Sequence, residues 1–304
     1  MENLPKSVEI VEVSARDGIQ NEKTILSVDT KLALIGGAIA AGVRRLEVAS
    51  FVNPARVPQM ADAEGVCAGL PQGTGARFIG LALNMRGFDR AVAAGLDEVN
   101  FVIVASDTFS RRNQGVGTDE ALVQWAAVRA AAQGRIGTGV TIGAAFGCPF
   151  EGEVPLARLL DVVDRAMEHA PDELAIADTI GVATPYDVAQ RIGAIATRHP
   201  GVRLRLHLHN TRNTGIANAW AGVLAGATVL DASLGGVGGC PFAPRATGNI
   251  ATEDLVYMLH RSGIATGLDL PRAIAAAEWL EAQLGHAVPG MVMKAGGFPA
   301  LSAA

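Results

Sequence analysis

The stretch Val202-Arg203-Leu204-Arg205-Leu206-His207-Leu208-His209-Asn210 decides how the rest of the chain is read. Val202, Leu204 and Leu206 alternate along it and it ends in His207-Leu208-His209, so it reads as a strand with two histidines at its C-terminal end. Side chains at i and i+2 leave a strand on the same face, so both imidazoles point one way from Cα atoms about 6–7 Å apart. Two readings stay open here. The pair are ligands converging on one cation, or they are hydrogen-bonded histidines in a pore or at an interface.

Working outward, apolar runs of strand length recur at residues 8–13, 45–49, 77–83, 98–104, 140–146, 173–177, 202–209 and 228–232. Helical patterns follow at 29–41, with Asp29 as N-cap and Gly42 closing it, and at 87–94, 119–133, 155–170, 185–195 and 214–225. Near-continuous apolar strands fit a parallel sheet buried on both faces. Eight strand–helix units in about 250 residues favour an α/β fold of the (β/α)8 TIM-barrel type. A doubly wound open sheet is the alternative, but no G-x-G-x-x-G follows the first strand. The chain is expected to form one domain, residues 1–304. Extra C-terminal helices at 253–261 and 270–284 would cap it, within a region of about 250–304.

Composition narrows the class. The 304 residues are 49% hydrophobic, 5% aromatic and 18% charged, so core filling falls to Ala, Val, Leu and Ile. The net charge of −5 and the lack of a basic stripe argue against a nucleic-acid partner. No apolar run reaches membrane-spanning length, and residues 1–5 resemble neither a signal sequence nor a transit peptide, so a cytoplasmic protein without membrane partners is expected. Three widely spaced cysteines, Cys67, Cys148 and Cys240, do not make a disulfide framework.

Active sites of such barrels form at the C-terminal ends of the strands. There the chain places Arg16, Asp17 and Gln20 after strand one and Glu47 in strand two. Cys148 follows strand five, and Asp178 and Thr179 follow strand six. His207 and His209 end strand seven. A glycine-rich run leads to Cys240 after strand eight, followed by Asn249. Polar residues are scarce in this chain, so their gathering at one end carries more weight than any single motif. Asp17, His207, His209 and the Asn249 amide oxygen would suit Mg²⁺ or Mn²⁺, and two histidines with one carboxylate would also suit Fe²⁺ or Zn²⁺. Against this, Asp17 can simply pair with Arg16, and Asn249 can be a turn residue after Gly248. Arg16 can hold an oxygen on which charge develops, or pair with Glu47, or both. Cys240 follows four glycines and precedes Pro241, so it is either a mobile thiol that moves protons or an inert turn residue. Cys67 reads as inert, and Cys148 is undecided. His169, His199, His260 and His286 read as surface or cap residues.

These segments together resemble the 3-hydroxy-3-methylglutaryl-CoA (HMG-CoA) lyase family of metal-dependent barrel enzymes. The resemblance is carried by residues 14–22, 47–52 with 57–62, 147–152, 178–181, the His207-x-His209 strand, 233–242 and 247–255. It implies a lyase that cleaves HMG-CoA to acetyl-CoA and acetoacetate by a retro-Claisen step, with leucine degradation as pathway. In the family pattern Asp17, His207, His209 and Asn249 hold Mg²⁺ or Mn²⁺, which binds the tertiary hydroxyl and the distal carboxylate. Arg16 stabilises the thioester enolate, Asp17 is a candidate base, and Cys240 returns the proton. Glu47 orients Arg16; Gln20, Asp178 and Thr179 line the acyl-CoA pocket; Glu253 fixes Asn249. A homodimer is the family's expectation. Alternatives are a lyase for a related 3-hydroxy-3-carboxymethyl acyl-CoA, or a Claisen-type synthase or aldolase on the same barrel. A scaffold without activity and a non-haem iron oxygenase are more distant rivals. The chain departs from the pattern at Asn210 and Arg212, which would remove a negative charge near the metal, add a positive one, and shift the acyl preference.

Overall fold

The computed structural model describes residues 4–132, 134–239 and 248–299. Eight parallel strands close into a barrel in the order β1-β10-β9-β8-β5-β4-β3-β2. They are β1 (Glu9–Glu12), β2 (Arg45–Ser50), β3 (Arg77–Ala82), β4 (Glu98–Val104), β5 (Gly137–Gly143), β8 (Glu173–Asp178), β9 (Leu204–Leu208) and β10 (Val229–Ala232). Two short strands, β6 (Gly147–Cys148) and β7 (Gly152–Glu153), form a separate antiparallel hairpin. The ring of helices comprises α1 (Val28–Ala40), α2 (Ala63–Ala68), α3 (Met85–Ala93), α4 (Asp107–Gln114), α5 (Thr118–Ala132), α6 (Leu156–Met167), α7 (Pro185–Arg198), α8 (Gly215–Leu224) and α9 (Thr252–Arg261). The TIM-barrel expectation therefore holds. Of the helices expected to cap it, α9 follows the last strand and completes the ring beside α8. Helix α10 (Leu270–Leu284) is the true addition, packed between α9 and α1, with the short α11 (Val292–Ala295) after it. Among the described residues no helix is long and apolar enough to cross a membrane.

Local chemistry moved some expected boundaries. Helix α1 is capped by Ser27, whose Oγ accepts the Thr30 amide at 3.2 Å; Asp29 sits in the first turn, where its charge favours the helix dipole. Strand β5 starts three residues before the apolar run, because Gly137-Thr138-Gly139 pairs fully with β4. It stops where Ala144 turns to φ 52°. Helix α4, capped by Ser106, has a polar sequence with no apolar stripe to reveal it.

The expectation of wholly apolar strands is corrected by the barrel interior. Outward faces are apolar, as at Leu46, Phe101, Ile142, Ile176 and Leu206, and pack under the helices. Inward positions alternate with them and carry charge: Arg45 and Glu47 on β2, Glu98 on β4, Glu173 on β8, Arg205 on β9 and Asp231 on β10. Only Val11, Val13, Ile79 and Val229 form an apolar cluster inside. Arg45 bridges Glu98 (Nη2, 2.5 Å) and Glu173 (Nη1, 2.8 Å) toward the N-terminal end, so the buried charges are paired there. Ion pairs of this kind persist in an interior only when every partner is engaged.

Candidate active site

The chain leaves β1 directly into a helical turn, Ser14–Gly18, that carries Arg16 and Asp17. Gly18 is required by its surroundings: a Cβ there would lie 2.6 Å from Ser233 Oγ and 2.8 Å from Val237. That close approach seats the turn against the segment after β10. Across the barrel mouth, His207 and His209 leave the end of β9 on the inner face, as the two-residue spacing predicts.

Their Nε2 atoms face each other at 3.1 Å, and one Asp17 carboxylate oxygen, Oδ2, lies 3.7 Å from each. The candidate ligand atoms of the three residues lie within 4.8 Å of one another. The Asn249 amide donates to Asp17 Oδ2 at 2.8 Å and to the Val237 carbonyl at 3.2 Å, while its Oδ1 is buried without a partner among the described residues. Two imidazole nitrogens and a carboxylate oxygen converge here, and the Asn249 amide, whose oxygen is unpartnered, touches that carboxylate. This donor set fits one divalent cation, and the expected ligands are brought together.

Arg16 stands beside this cluster. Its Nη1 donates to Asp17 at 2.6 Å and its Nε to Glu47. Glu47 lies beneath it, fully buried, and its other oxygen accepts from Arg205 Nη2 at 3.3 Å. Arg205 Nε donates to Asp231, and the second Asp231 oxygen lies 2.9 Å from His207 Nδ1. Arg16, Glu47, Arg205, Asp231, His207 and Asp17 thus form a closed circuit of contacts. It orients the Arg16 guanidinium and the His207 ring from below.

Electrostatics follow from the geometry. Burial by itself would raise the Asp17 pKa, but the Arg16 guanidinium and the two imidazoles hold it well below the usual carboxylate range. Burial pushes His209 down to about 4, assisted by the charge of His207. Burial also opposes charge on His207, yet the Asp231 hydrogen bond and the nearby Asp17 keep its pKa raised. His209 is therefore held neutral, with a lone pair to offer, and Asp17 is held as the anion.

The cluster forms one end of a cavity of about 940 Å³. Arg16, Asp17, Gln20, Thr179, His207 and His209 all line it. Arg56 and Arg86 bring positive charge to its exposed part, while Arg90, also on the lining, is paired with Glu64. Several expectations need correction. Asp178 does not line the cavity; its carboxylate is spent on the Val182 and Ala183 amides at 3.0 and 2.9 Å, bracing the turn after β8. Glu253 does not hold Asn249 but accepts the Gly235 amide at 3.1 Å. Arg212 turns away from the cluster onto the Ile180 and Gly181 carbonyls, and Asn210 Oδ1 accepts the Gly215 amide, so neither alters the charge at the ligand set. Cys240 lies outside the described residues. Cys148 is buried against Ser106, 2.9 Å away, and takes part in the β6–β7 hairpin.

Sequence reading missed Arg205 and Asp231, although a signal existed. Arg205 lies two residues before His207 and so shares its face. Asp231 interrupts the otherwise apolar last strand, Val229–Ala232.

A family model described as HMGL-like matches residues 7–280 of the chain. The (R)-citramalyl-CoA lyase of Chloroflexus aurantiacus is 45% identical over 303 residues, which cover 96% of this chain and 95% of that one. The mitochondrial hydroxymethylglutaryl-CoA lyase of Mus musculus is 40% identical over 281 residues, 92% of this chain and 86% of that one. Among solved structures, an HMG-CoA lyase from Acinetobacter baumannii in complex with coenzyme A and 3-methylmalate matches with a TM-score of 0.94 and 36% identity, over 99% of each chain.

Proposed function

The chain belongs to the HMGL-like family, and on that premise we propose that it is a metal-dependent carbon–carbon lyase for 3-hydroxy acyl-CoA thioesters, with HMG-CoA as the first candidate. The carrying observation is the contact of Arg16 with Asp17, 2.6 Å apart, at the edge of a two-histidine, one-carboxylate cluster. A retro-Claisen cleavage needs a polarised tertiary alcohol and, beside it, a cation for the enolate that departs. Both halves of that requirement meet in this one contact.

Asp17, His207, His209 and Asn249 would hold Mg²⁺ or Mn²⁺. Such an ion, when bound, acidifies the hydroxyl and orients the substrate carboxylate. Arg16 Nη2 makes no hydrogen bond to another described residue and is free to donate to the thioester oxygen as charge develops on it. Glu47 fixes the guanidinium plane by taking Nε. Asp17, held below the ordinary carboxylate range, is a ligand and a poor base. As the bond between the carbinol carbon and the thioester methylene breaks, the hydroxyl gives up its proton to a base in the site and its oxygen becomes the ketone oxygen. The methylene carbon takes a proton, which Cys240 is suited to deliver from its glycine-rich loop. The products are acetyl-CoA and acetoacetate. Arg56 and Arg86 suit the phosphates of coenzyme A. Leucine degradation, a cytoplasmic location and a homodimer complete the reading.

A second substrate is favoured by the 45% identity to a citramalyl-CoA lyase. In citramalyl-CoA the carboxylate sits directly on the carbinol carbon, and the products would be acetyl-CoA and pyruvate. The test is a paired product assay with Mg²⁺ or Mn²⁺. Chelator-sensitive release of acetoacetate from HMG-CoA, or of pyruvate from citramalyl-CoA, supports the lyase and names its acid. Absence of acetyl-CoA release from both thioesters overturns it.

A further inference from the structure

We infer that the barrel wall beside His207 is a receptacle for an apolar substituent larger than methyl on the carbinol carbon of the substrate, and that Gly143 sets its size. The inference rests on the lyase reading and deepens it.

The wall is defined by strand register. Ala177 pairs with His207 across β8 and β9, and Thr141 and Ile142 pair with Ala175 and Ile176 across β5 and β8. One step further puts Gly143 beside Ala177, in line with the 3.0 Å bond from the Ala145 amide to the Ala177 carbonyl. Gly143, Ala177 and His207 therefore stand in one row on three adjacent strands. With neighbouring strands about 4.8 Å apart, Gly143 lies roughly 10 Å from the His207 backbone. The row next to a candidate metal ligand thus carries one methyl group and one hydrogen.

Neither fold nor packing requires glycine at 143. It is absent from the residues with positive φ. A Cβ there would meet Val104 Cγ2 at 3.6 Å and the Ile103 carbonyl and Thr179 Oγ1 at 3.7 Å, all ordinary contacts. Gly87, which also lines the cavity, is different, because its Cβ would fall 2.9 Å from the Phe51 carbonyl. What a missing side chain at 143 does provide is room in the cavity that it lines.

The chemistry of that room is apolar. Leu81, Val102 and Ala177 line the same cavity. The nearby polar atoms are already engaged. Thr141 Oγ1 donates to Asn100 at 2.9 Å, Asn100 donates to Glu47 at 3.3 Å, and Thr179 Oγ1 accepts the Ala144 amide at 2.9 Å. Gly143 and Ala177, the part of the row away from His207, offer no polar side chain to a second carboxylate arm. An alkyl or alkenyl branch would be desolvated there without stranding a polar group.

The test uses the thioester, HMG-CoA or citramalyl-CoA, that the assay above shows to be cleaved, together with its homologue bearing butyl in place of the C3 methyl. Acetyl-CoA release is measured for the wild-type protein and for Gly143→Ala and Gly143→Val. The expected result is a wild-type kcat/KM for butyl within about tenfold of methyl. The butyl-to-methyl ratio should fall by about tenfold or more in Gly143→Val and by less in Gly143→Ala. Gly143→Ala has room to fold, so it decides the matter if the valine variant does not. A wild-type preference for methyl of more than about tenfold, or a ratio unchanged in both variants, overturns the inference while leaving the lyase reading intact. Cleavage of no thioester at all overturns the lyase reading and the inference with it.

Discussion

His207 Nδ1 lies 2.9 Å from a carboxylate oxygen of Asp231, which leaves Nε2 of the same ring facing His209 and Asp17. Such a pairing fixes the tautomer and raises the basicity of a ligating imidazole. Asp231→Asn is expected to keep the fold and lower Mn²⁺ affinity by about 10–100-fold. Calorimetric titration with Mn²⁺ measures this. Unchanged affinity would mean that Asp231 serves the barrel charges alone.

Arg16 is expected to act on the enolate rather than on the metal. Arg16→Gln should lower kcat by about 10²–10³-fold, the usual cost of losing one donor to a developing oxyanion. Metal binding should persist, because the ligand atoms remain. A variant that loses Mn²⁺ in the same titration would assign Arg16 to holding Asp17 instead.

Arg205 joins Glu47 to Asp231 in a fully buried position. Arg205→Met would leave Glu47, Glu173 and Asp231 without their shared cation. The expected loss of stability is about 3–5 kcal/mol, the cost of breaking a buried ion pair from one side. Urea denaturation at pH 7.5 reads it as a lower midpoint. A variant as stable as wild type would show that the carboxylates find protons or water in its place.

Cys240→Ser is expected to cut turnover strongly while metal affinity is kept, since the thiol is proposed to move a proton and not to bind the ion. Full activity in the serine variant would make the loop cysteine structural.

Glu253 supplies a pH dependence. Burial raises its pKa from about 4.5 to about 8, so between those values the folded chain keeps a proton that the unfolded chain releases. Its contribution to stability is complete below about 4.5 and is lost as pH rises through about 8. Thermal midpoints of Glu253→Gln should therefore fall less than wild type between pH 5 and 8. Parallel curves for the two proteins would show that Glu253 is ionised in the folded state.

Much of the barrel was legible because parallel strands and their helices write local patterns: apolar runs of five to seven residues, glycine stops, and caps. The candidate ligands were legible for a related reason. His207 and His209 show their shared face by spacing alone, and Arg16 and Asp17 end the first strand. Helix α4 was not legible, since all of its eight residues but Phe109 are polar and it is held by the Ser106 cap.

The sequence by itself determined the eight-unit repeat and the residue types that meet at the mouth. Only the tertiary structure decided which strand face turned inward. Both faces of a barrel strand are buried, so the alternation of charged and apolar positions does not say which set turns inward. Closure brings Glu47 on β2 to Arg205 and Asp231, which stand on the paired strands β9 and β10, and so makes one charge circuit beneath Arg16 and His207. It also decided the fates of Asp178 and Arg212. Each sits at the right point in the chain to serve the site, but nearby backbone amides and carbonyls claim the two side chains first.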